Sequence, residues 1–205
     1  FGASGFALPQ TMLISHRRGF RARRAPGAGF DQAYRRAVHE TAHQWFGHLI
    51  GFGLPEERAF LIESLAKYAE LVMVERRFGR PAMAALVGWE ADRLARARLV
   101  PAEQATPLID AEDSEDMYSR ATLAFACLRA RLGDQAITGA LAGVVRASYG
   151  SGRPARSVDF VQALARTGGD AQAPALLLSR PVAIEAAMAR LCPAVSAMAK
   201  AAPSG

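Results

Sequence analysis

Apolar residues recur at intervals of three and four along much of the chain, which is the period of helices that bury one face. The first such pattern predicts a helix from about residue 31 to residue 46. Further patterns predict helices over 55–78, 81–99, 117–133, 134–149, 158–166 and 181–198. Residues 1–15 combine short apolar runs with glycine and proline, which predicts extended structure. The chain is therefore expected to be mostly α-helical, with a small N-terminal β element.

The first predicted helix carries two histidines and a glutamate in the spacing HExxH, as His39, Glu40 and His43. Residues four apart are neighbours on one helix face, so both imidazoles can hold one metal ion. Glu40 then lies beside the metal without being forced to bind it, which is typical of a general base acting on water. We expect His39 and His43 to bind one zinc ion and Glu40 to be catalytic. The alternative is a helix that carries two histidines and a solvated glutamate without any metal.

A third protein ligand is expected, because catalytic zinc sites use three protein ligands and leave one position open. The candidate is Glu63, which lies among apolar residues of the second predicted helix, where a buried carboxylate needs a partner. A glycine-rich turn between the two helices allows them to fold back and bring Glu63 to the histidines. Glu70 and Glu75 are predicted to be solvated rather than ligands, and His48 to lie off the ligand face.

The two segments that carry these residues resemble the aminopeptidase N family of gluzincin metallopeptidases; they read HETAHQWFGH and IESLAKYAE. Nineteen residues separate His43 from Glu63, one more than in the commonest members. The longer spacing is similar to that of bacterial members whose peptidase-like domain is attached to transporter-type membrane segments. Thermolysin relatives usually have an aspartate where this chain has Lys67. The resemblance implies the helical lobe of a thermolysin-like (gluzincin) zinc peptidase, as a fragment of its catalytic domain.

The same resemblance assigns a role to Tyr118, which spacing alone would leave as a core or surface residue. Tyr118 matches the family's Tyr-x-Lys-Gly-Ala pattern, with Arg and Ala at the Lys and Gly positions, and its hydroxyl is expected to support the oxyanion. The family also binds the substrate's amino terminus through the glutamate of a Gly-x-Met-Glu-Asn motif. Gly2 and Ala3 match its first two positions, but no acidic residue precedes Asp31, so exopeptidase specificity stays open.

Length and charge limit the organisation and the partners. The length of 205 residues allows one good core or two small lobes. We expect a zinc-binding catalytic subdomain over 1–100 and a helical part of the same catalytic domain over 101–205. The net charge is +6, from 25 basic and 19 acidic residues. The densest basic cluster lies at 16–24, but no nucleic-acid-binding signature accompanies it. We interpret it as a solvated loop and expect no nucleic-acid partner.

The chain contains no run of eighteen apolar residues, so no transmembrane segment is expected in it. It does not begin with methionine, and we expect it to start inside a larger protein. The resemblance implies a neighbouring domain or membrane segment outside this fragment, with a membrane-associated or extracytoplasmic location for the whole. Cys127 and Cys192 lie far apart in apolar helical contexts and are expected to be buried free thiols rather than a disulfide.

These observations predict an aminopeptidase-like zinc metallopeptidase that hydrolyses peptides or proteins with one zinc ion. His39, His43 and Glu63 would hold the zinc, Glu40 would accept a proton from the attacking water, and Tyr118 would assist at the oxyanion. The alternative is a weakly active or inactive peptidase-like domain that binds peptides or a protein partner. The missing amine-binding glutamate favours that alternative, whereas the complete HExxH motif and Glu63 oppose it.

Overall fold

The computed structural model of the chain describes residues 5–16, 29–50, 59–97 and 106–201. The strands and helices are β1 (Gly5–Leu8), β2 (Thr11–Ile14), α1 (Gln32–Ala42), α2 (Leu65–Phe78), α3 (Arg80–Ala97), α4 (Ala121–Ser148), α5 (Ser157–Gly168), α6 (Gln172–Pro174), α7 (Ile184–Leu191) and α8 (Pro193–Lys200). Wider π-helical turns form the segments Ala59–Ser64, Glu115–Arg120 and Ala175–Ser179, and a 3-10 turn spans Leu108–Asp110. The described part is thus mostly helical with a small two-stranded sheet, which confirms the predicted fold class.

Several sequence predictions fall outside the described residues. They concern Gly2 and Ala3, the basic cluster beyond His16, the start of the second helix at 55–58 and the end of the third at 98–99. Within the described ranges, no helix is both long and apolar enough to cross a bilayer.

The two strands form an antiparallel hairpin that is attached to the end of α1. Gly5 pairs with Ile14 at its open end, and Gln10 in the turn has a positive φ of 59°. The Gln44 side chain holds this turn: its Oε1 accepts from the Gln10 amide at 2.7 Å, and its Nε2 donates to the Leu8 carbonyl at 2.9 Å. The hairpin therefore lies against the helix that carries the HExxH motif.

Helix α1 begins at a capped end and stops earlier than its apolar pattern predicts. The Asp31 carboxylate accepts from the amides of Ala33 and Tyr34 at 2.8 and 3.0 Å, which satisfies two free donors of the first turn. The helix ends at Ala42 rather than near residue 46, because the chain then enters tight turns with Gly47 at a φ of 117°. His43 is the capping residue and keeps helical dihedrals (φ −63°, ψ −14°), so its relation to His39 survives.

The C-terminal half consists of packed helices whose breaks follow glycine and proline. α4 is sharply bent at Gly133 (φ 80°, ψ 160°), as expected from the two helices predicted to meet there. The single helix predicted over 181–198 is wrong, because the structure has α7 and α8 on either side of Cys192 (φ −149°, ψ 66°). Pro193 causes this break, since it lacks the amide that would continue α7 and suits the first position of a new helix.

A cluster of buried aromatic rings holds the segment Ala59–Ser64 in the core. The ring centroid of Phe60 lies 6.2 Å from that of Phe125 in α4 and 5.9 Å from that of Phe160 in α5. All three side chains are fully buried. Glu63 is carried by this segment, so the position of the predicted third ligand is set by apolar packing against the C-terminal helices.

The prediction of free thiols is wrong, because Cys127 and Cys192 form a disulfide. Both residues are buried, and their Cα atoms are 5.6 Å apart although they lie 65 positions apart in sequence. The bond joins α4 to the junction of α7 and α8, a contact between distant parts of the chain that periodicity does not reveal. Closing a loop of this length restricts the unfolded chain and stabilises the fold.

Replacing both cysteines with alanine should lower the free energy of unfolding by roughly 2–4 kcal/mol, since the loop is no longer closed in the unfolded chain. Urea unfolding of the wild type and of the double variant Cys127→Ala, Cys192→Ala measures the difference. The wild type in reductant should match the variant. Equal stability of oxidised wild type and variant would contradict the disulfide's role.

Candidate metal centre

Three side chains from two consecutive elements meet at one point. The Nε2 atom of His39 lies 3.0 Å from Oε2 of Glu63, and Nε2 of His43 lies 3.6 Å from the same oxygen. One potential ligand atom from each of the three residues lies within 4.8 Å of the others. The side chains are 12%, 10% and 26% exposed, so the cluster is largely buried but reachable on the Glu63 side.

Helix geometry explains how the histidines share this site. His39 and His43 are one turn apart at the end of α1, and their rings are perpendicular with centroids 4.7 Å apart. Glu63 comes from the π-helical segment that precedes α2, and α2 packs on α1. Such wide turns are frequently found at functional sites.

The other ring nitrogen of each histidine already has an acceptor beside it. Nδ1 of His39 lies 2.8 Å from Oε1 of Glu70, and Nδ1 of His43 lies 3.1 Å from the Phe46 carbonyl. In a neutral ring whose one proton is on Nδ1, Nε2 is the atom that can bind a metal. The contact of His43 with the carbonyl is a hydrogen bond of the kind that orients metal-binding histidines, whereas the contact of His39 with Glu70 is a close charge contact without hydrogen-bond geometry. Two imidazoles and a carboxylate held in this geometry fit a zinc ion by ligand type and number.

The charges around His39 make the centre attractive to a cation. Burial alone would lower the pKa of His39, but the hydrogen bond with Glu63, the close contact with Glu70 and the negative charge of both acids outweigh burial and raise the pKa to about 9. Burial opposes ionisation of Glu63 as well, yet its contacts with the two histidines lower its pKa. The carboxylates therefore stay ionised, and the site stabilises positive charge, which a divalent cation also supplies.

Glu40 lies beside the ligand cluster but is not one of the three residues that converge. It is 6% exposed, and burial raises its pKa, with a further contribution from the negative charge of Glu63. A raised pKa makes a carboxylate a better proton acceptor for catalysis. Strand β1 covers this group so closely that any side-chain carbon at Gly5 would overlap the Glu40 carboxylate.

Tyr118 reaches the same centre from a third element, the segment Glu115–Arg120. Its hydroxyl is close enough to the Glu63 carboxylate for the two groups to shift each other's pKa, and its ring centroid lies 5.7 Å from that of His39. Burial and the nearby Glu63 carboxylate raise the pKa of Tyr118, so the hydroxyl keeps its proton and can donate it in a hydrogen bond. Arg120 fixes this segment through contacts of 2.7 Å with Asp116 and with the Thr106 carbonyl.

The prediction that Glu70 is solvated is wrong. Its side chain is 1% exposed, and in addition to His39 it contacts Arg35 at 2.8 Å and Lys67 at 2.5 Å. These positive partners hold the pKa of Glu70 well below its usual range, although burial acts in the opposite direction. Glu70 follows Glu63 by seven residues, about two helical turns, and this spacing is the signal that could have placed both on one face.

The remaining predicted residues lie apart from the centre. Glu75 is partly buried and pairs with Arg129 at 2.6 Å, so it is neither fully solvated nor near the ligands. His48 is exposed and does not join the metal-ligand group. His16 is exposed and is the described member of the basic cluster.

Crystal structures of M1 zinc metallopeptidases, the aminopeptidase N family, are similar to this chain. One is a mutant from Deinococcus radiodurans bound to a Tyr-Ser-Ala substrate, with 26% identity and a TM-score of 0.55 over 71% of this chain and 32% of that one. Another is a two-domain mutant bound to L-tryptophan, with 28% identity and a TM-score of 0.52 over 70% of this chain and 31% of that one. Protein-family models and curated proteins gave no match.

The likeness covers most of this chain but only about a third of the crystallised proteins. It supports a peptidase-like domain similar to M1 zinc metallopeptidases and indicates zinc as the metal. The residues that converge in this structure are of the kinds that zinc prefers.

We expect the purified chain to bind one zinc ion. The variant Glu63→Gln should weaken zinc binding at least about a hundredfold, because losing a ligand costs more than losing an outer-shell partner. Competition with a chromophoric chelator measures the affinity, and metal analysis measures the stoichiometry. Glu75→Gln is the matched control, since it removes a partly buried glutamate that pairs with Arg129, and it should bind zinc as the wild type does. Equal affinity of both variants would remove Glu63 from the ligand set.

Proposed function

We propose that this chain is the catalytic part of a zinc-dependent peptidase that hydrolyses peptide bonds. The observation that carries the proposal is the convergence of His39, His43 and Glu63, with the buried Glu40 next to them. The likeness to M1 zinc metallopeptidases supports the same function. A binding module without chemistry has no need of a proton acceptor beside a three-ligand cluster.

A zinc ion bound by these residues would polarise the scissile carbonyl and lower the pKa of a water molecule toward about 7. Glu40 takes the proton of the attacking water, for which its raised pKa is suited. It then gives the proton to the leaving amine. Gly5 lies against the Glu40 carboxylate, so strand β1 limits the positions that this side chain can take.

Tyr118 supplies a hydrogen-bond donor for the carbonyl oxygen as that oxygen becomes negative. Its hydroxyl interacts with Glu63 and therefore lies at the edge of the ligand cluster. Donors held in place before the reaction stabilise an oxyanion without a further cost of reorientation. We assign Tyr118 this role from its position and from the family resemblance.

Strand β1 is our candidate for the peptide-binding edge. Within the described residues it pairs only with β2, and its Gly5 contacts Glu40, so its other edge can accept an extended peptide by strand addition. The ligands of the similar crystal structures, a tripeptide and an amino acid, point to short peptides with a free amino terminus as the first substrates to test. A matched panel of free and acetylated peptides separates aminopeptidase from endopeptidase activity.

The variant Glu40→Gln should keep its zinc and lose about 10²–10⁴-fold in kcat, because the amide cannot accept the proton. Hydrolysis of fluorogenic aminoacyl and internally quenched peptides measures the loss, with zinc content determined on the same samples. Glu75→Gln should hydrolyse the panel at the wild-type rate. Retained turnover in Glu40→Gln would remove Glu40 from the general-base role, and peptide binding without turnover by the wild type would favour a binding module.

The variant Tyr118→Phe should lower kcat by about a hundredfold with little change in KM, because only the oxyanion donor is lost. The ring is retained, so its contact with His39 should persist. Because the hydroxyl also interacts with the ligand Glu63, the assays are run at saturating zinc, so that a change in metal affinity does not enter kcat. Steady-state kinetics on the best substrate of the panel provide the test. A wild-type kcat in Tyr118→Phe would assign the oxyanion donor to another group.

A further inference from the structure

A further glutamate, Glu90 in α3, is fully buried and takes no direct part in the chemistry proposed above. Each of its oxygens has its own partners. Oε1 lies 2.6 Å from Nζ of Lys67 and 3.6 Å from Nη1 of Arg35. Oε2 accepts from the Ser119 hydroxyl at 2.7 Å and lies 3.4 Å from Nη1 of Arg93. Glu90 thus has contacts on two sides, toward α1 and α2 and toward the segment Glu115–Arg120.

The contacts on the first side lead to a metal-ligand histidine. Lys67, which is 1% exposed, bridges Glu90 to Oε2 of Glu70 at 2.5 Å. The other oxygen of Glu70 lies 2.8 Å from Nδ1 of His39. Arg35 contacts Glu70 at 2.8 Å as well, so two acidic and two basic side chains balance their charges in the buried interior. The path from Glu90 to the His39 ring consists of two short ionic contacts and one contact with the imidazole.

The contacts on the second side lead to Tyr118. Ser119 is its neighbour in sequence, and the Ser119 hydroxyl is bonded to Glu90 in the interior. Arg93 lies with its guanidinium 5.7 Å from the centroid of the Tyr118 ring and also contacts Glu90. Glu90 therefore restrains the turn that presents the Tyr118 hydroxyl to the ligand cluster.

We propose that Glu90 is a positioning residue that holds the metal-ligand His39 and the segment of Tyr118 in one fixed arrangement. A fully buried carboxylate with partners on both sides cannot move without leaving charged groups uncompensated. Its position therefore fixes the orientation of His39 through Lys67 and Glu70, and the position of Tyr118 through Ser119. The catalytic consequence rests on the proposed function, whereas the consequence for metal binding does not.

The variant Glu90→Gln keeps the shape of the side chain and removes its charge. We expect its zinc affinity to fall about tenfold, at the low end of the range for residues that contact a metal ligand directly, because Glu90 acts on His39 through Lys67 and Glu70. Its kcat should fall while KM changes little. With cobalt in place of zinc, the visible absorption of the variant should shift, because His39 is no longer held in the same orientation. A purely structural role would lower stability without moving zinc affinity or the cobalt spectrum.

The variant Ser119→Ala separates the two sides of Glu90. It removes the contact with the Tyr118 segment alone, so kcat should fall several-fold while zinc affinity stays within twofold of the wild type. Thr167→Val is the control, since it removes a hydroxyl that bonds to Ala136 and Ala163 carbonyls in the α4–α5 region. That variant should change neither kcat nor zinc affinity.

If Glu90→Gln does not fold because it leaves the buried Lys67 with one acidic partner fewer, the double variant Lys67→Met, Glu90→Gln replaces it. The double variant removes one acidic and one basic group together, so the buried charges stay balanced. We expect it to fold and still to bind zinc at least about tenfold more weakly. Wild-type zinc affinity in a folded Glu90 variant, or unchanged kcat in Ser119→Ala, would overturn the proposal. Absence of turnover in the wild type would overturn the peptidase function, while zinc affinity and the cobalt spectrum would still decide the role of Glu90.

Discussion

The imidazole of His39 is held between two carboxylates, and the rest of the centre depends on this contact. Glu63 lies 3.0 Å from one ring nitrogen and Glu70 lies 2.8 Å from the other. Both acids are largely removed from water, and a buried charge without a partner costs several kcal/mol. The burial of Glu70 therefore requires Arg35 and Lys67 on its other side, and the opening at Glu63 is where a further cation can be accommodated.

The parts of this arrangement that local spacing determines could be predicted from sequence. His39 and His43 share a face because they are one turn apart, and this relation holds even though α1 ends at Ala42 rather than near residue 46. Glu63 was identifiable because a carboxylate among apolar residues needs a partner. The mostly helical fold class followed from the same periodicity, and the structure confirms it.

Contacts between distant parts of the chain could not be predicted in this way. From the sequence alone, Glu70 is expected to lie on the exposed face of α2. In the structure α1 and α3 pack on α2 and bring Arg35 and Glu90 close to Glu70. The bond between Cys127 and Cys192 likewise depends on how α7 and α8 meet α4, since two cysteines in apolar contexts are compatible with thiols or a disulfide. Periodicity identifies which face of a helix is buried, but not which charged residue of another helix it will meet.

The buried charges are better explained by geometry than by stability. Apolar residues of similar volume in place of a buried ion pair often give an equally stable protein, because desolvation offsets most of the attraction between the charges. Apolar contacts, however, would allow the His39 ring and the Tyr118 turn to rotate or slide. Directional hydrogen bonds from Lys67 and Ser119 to opposite oxygens of Glu90 restrict its carboxylate from two sides. A centre that must present two ring nitrogens, a carboxylate and a hydroxyl to one point gains from that restriction, which is a physical reason for charged groups in this interior.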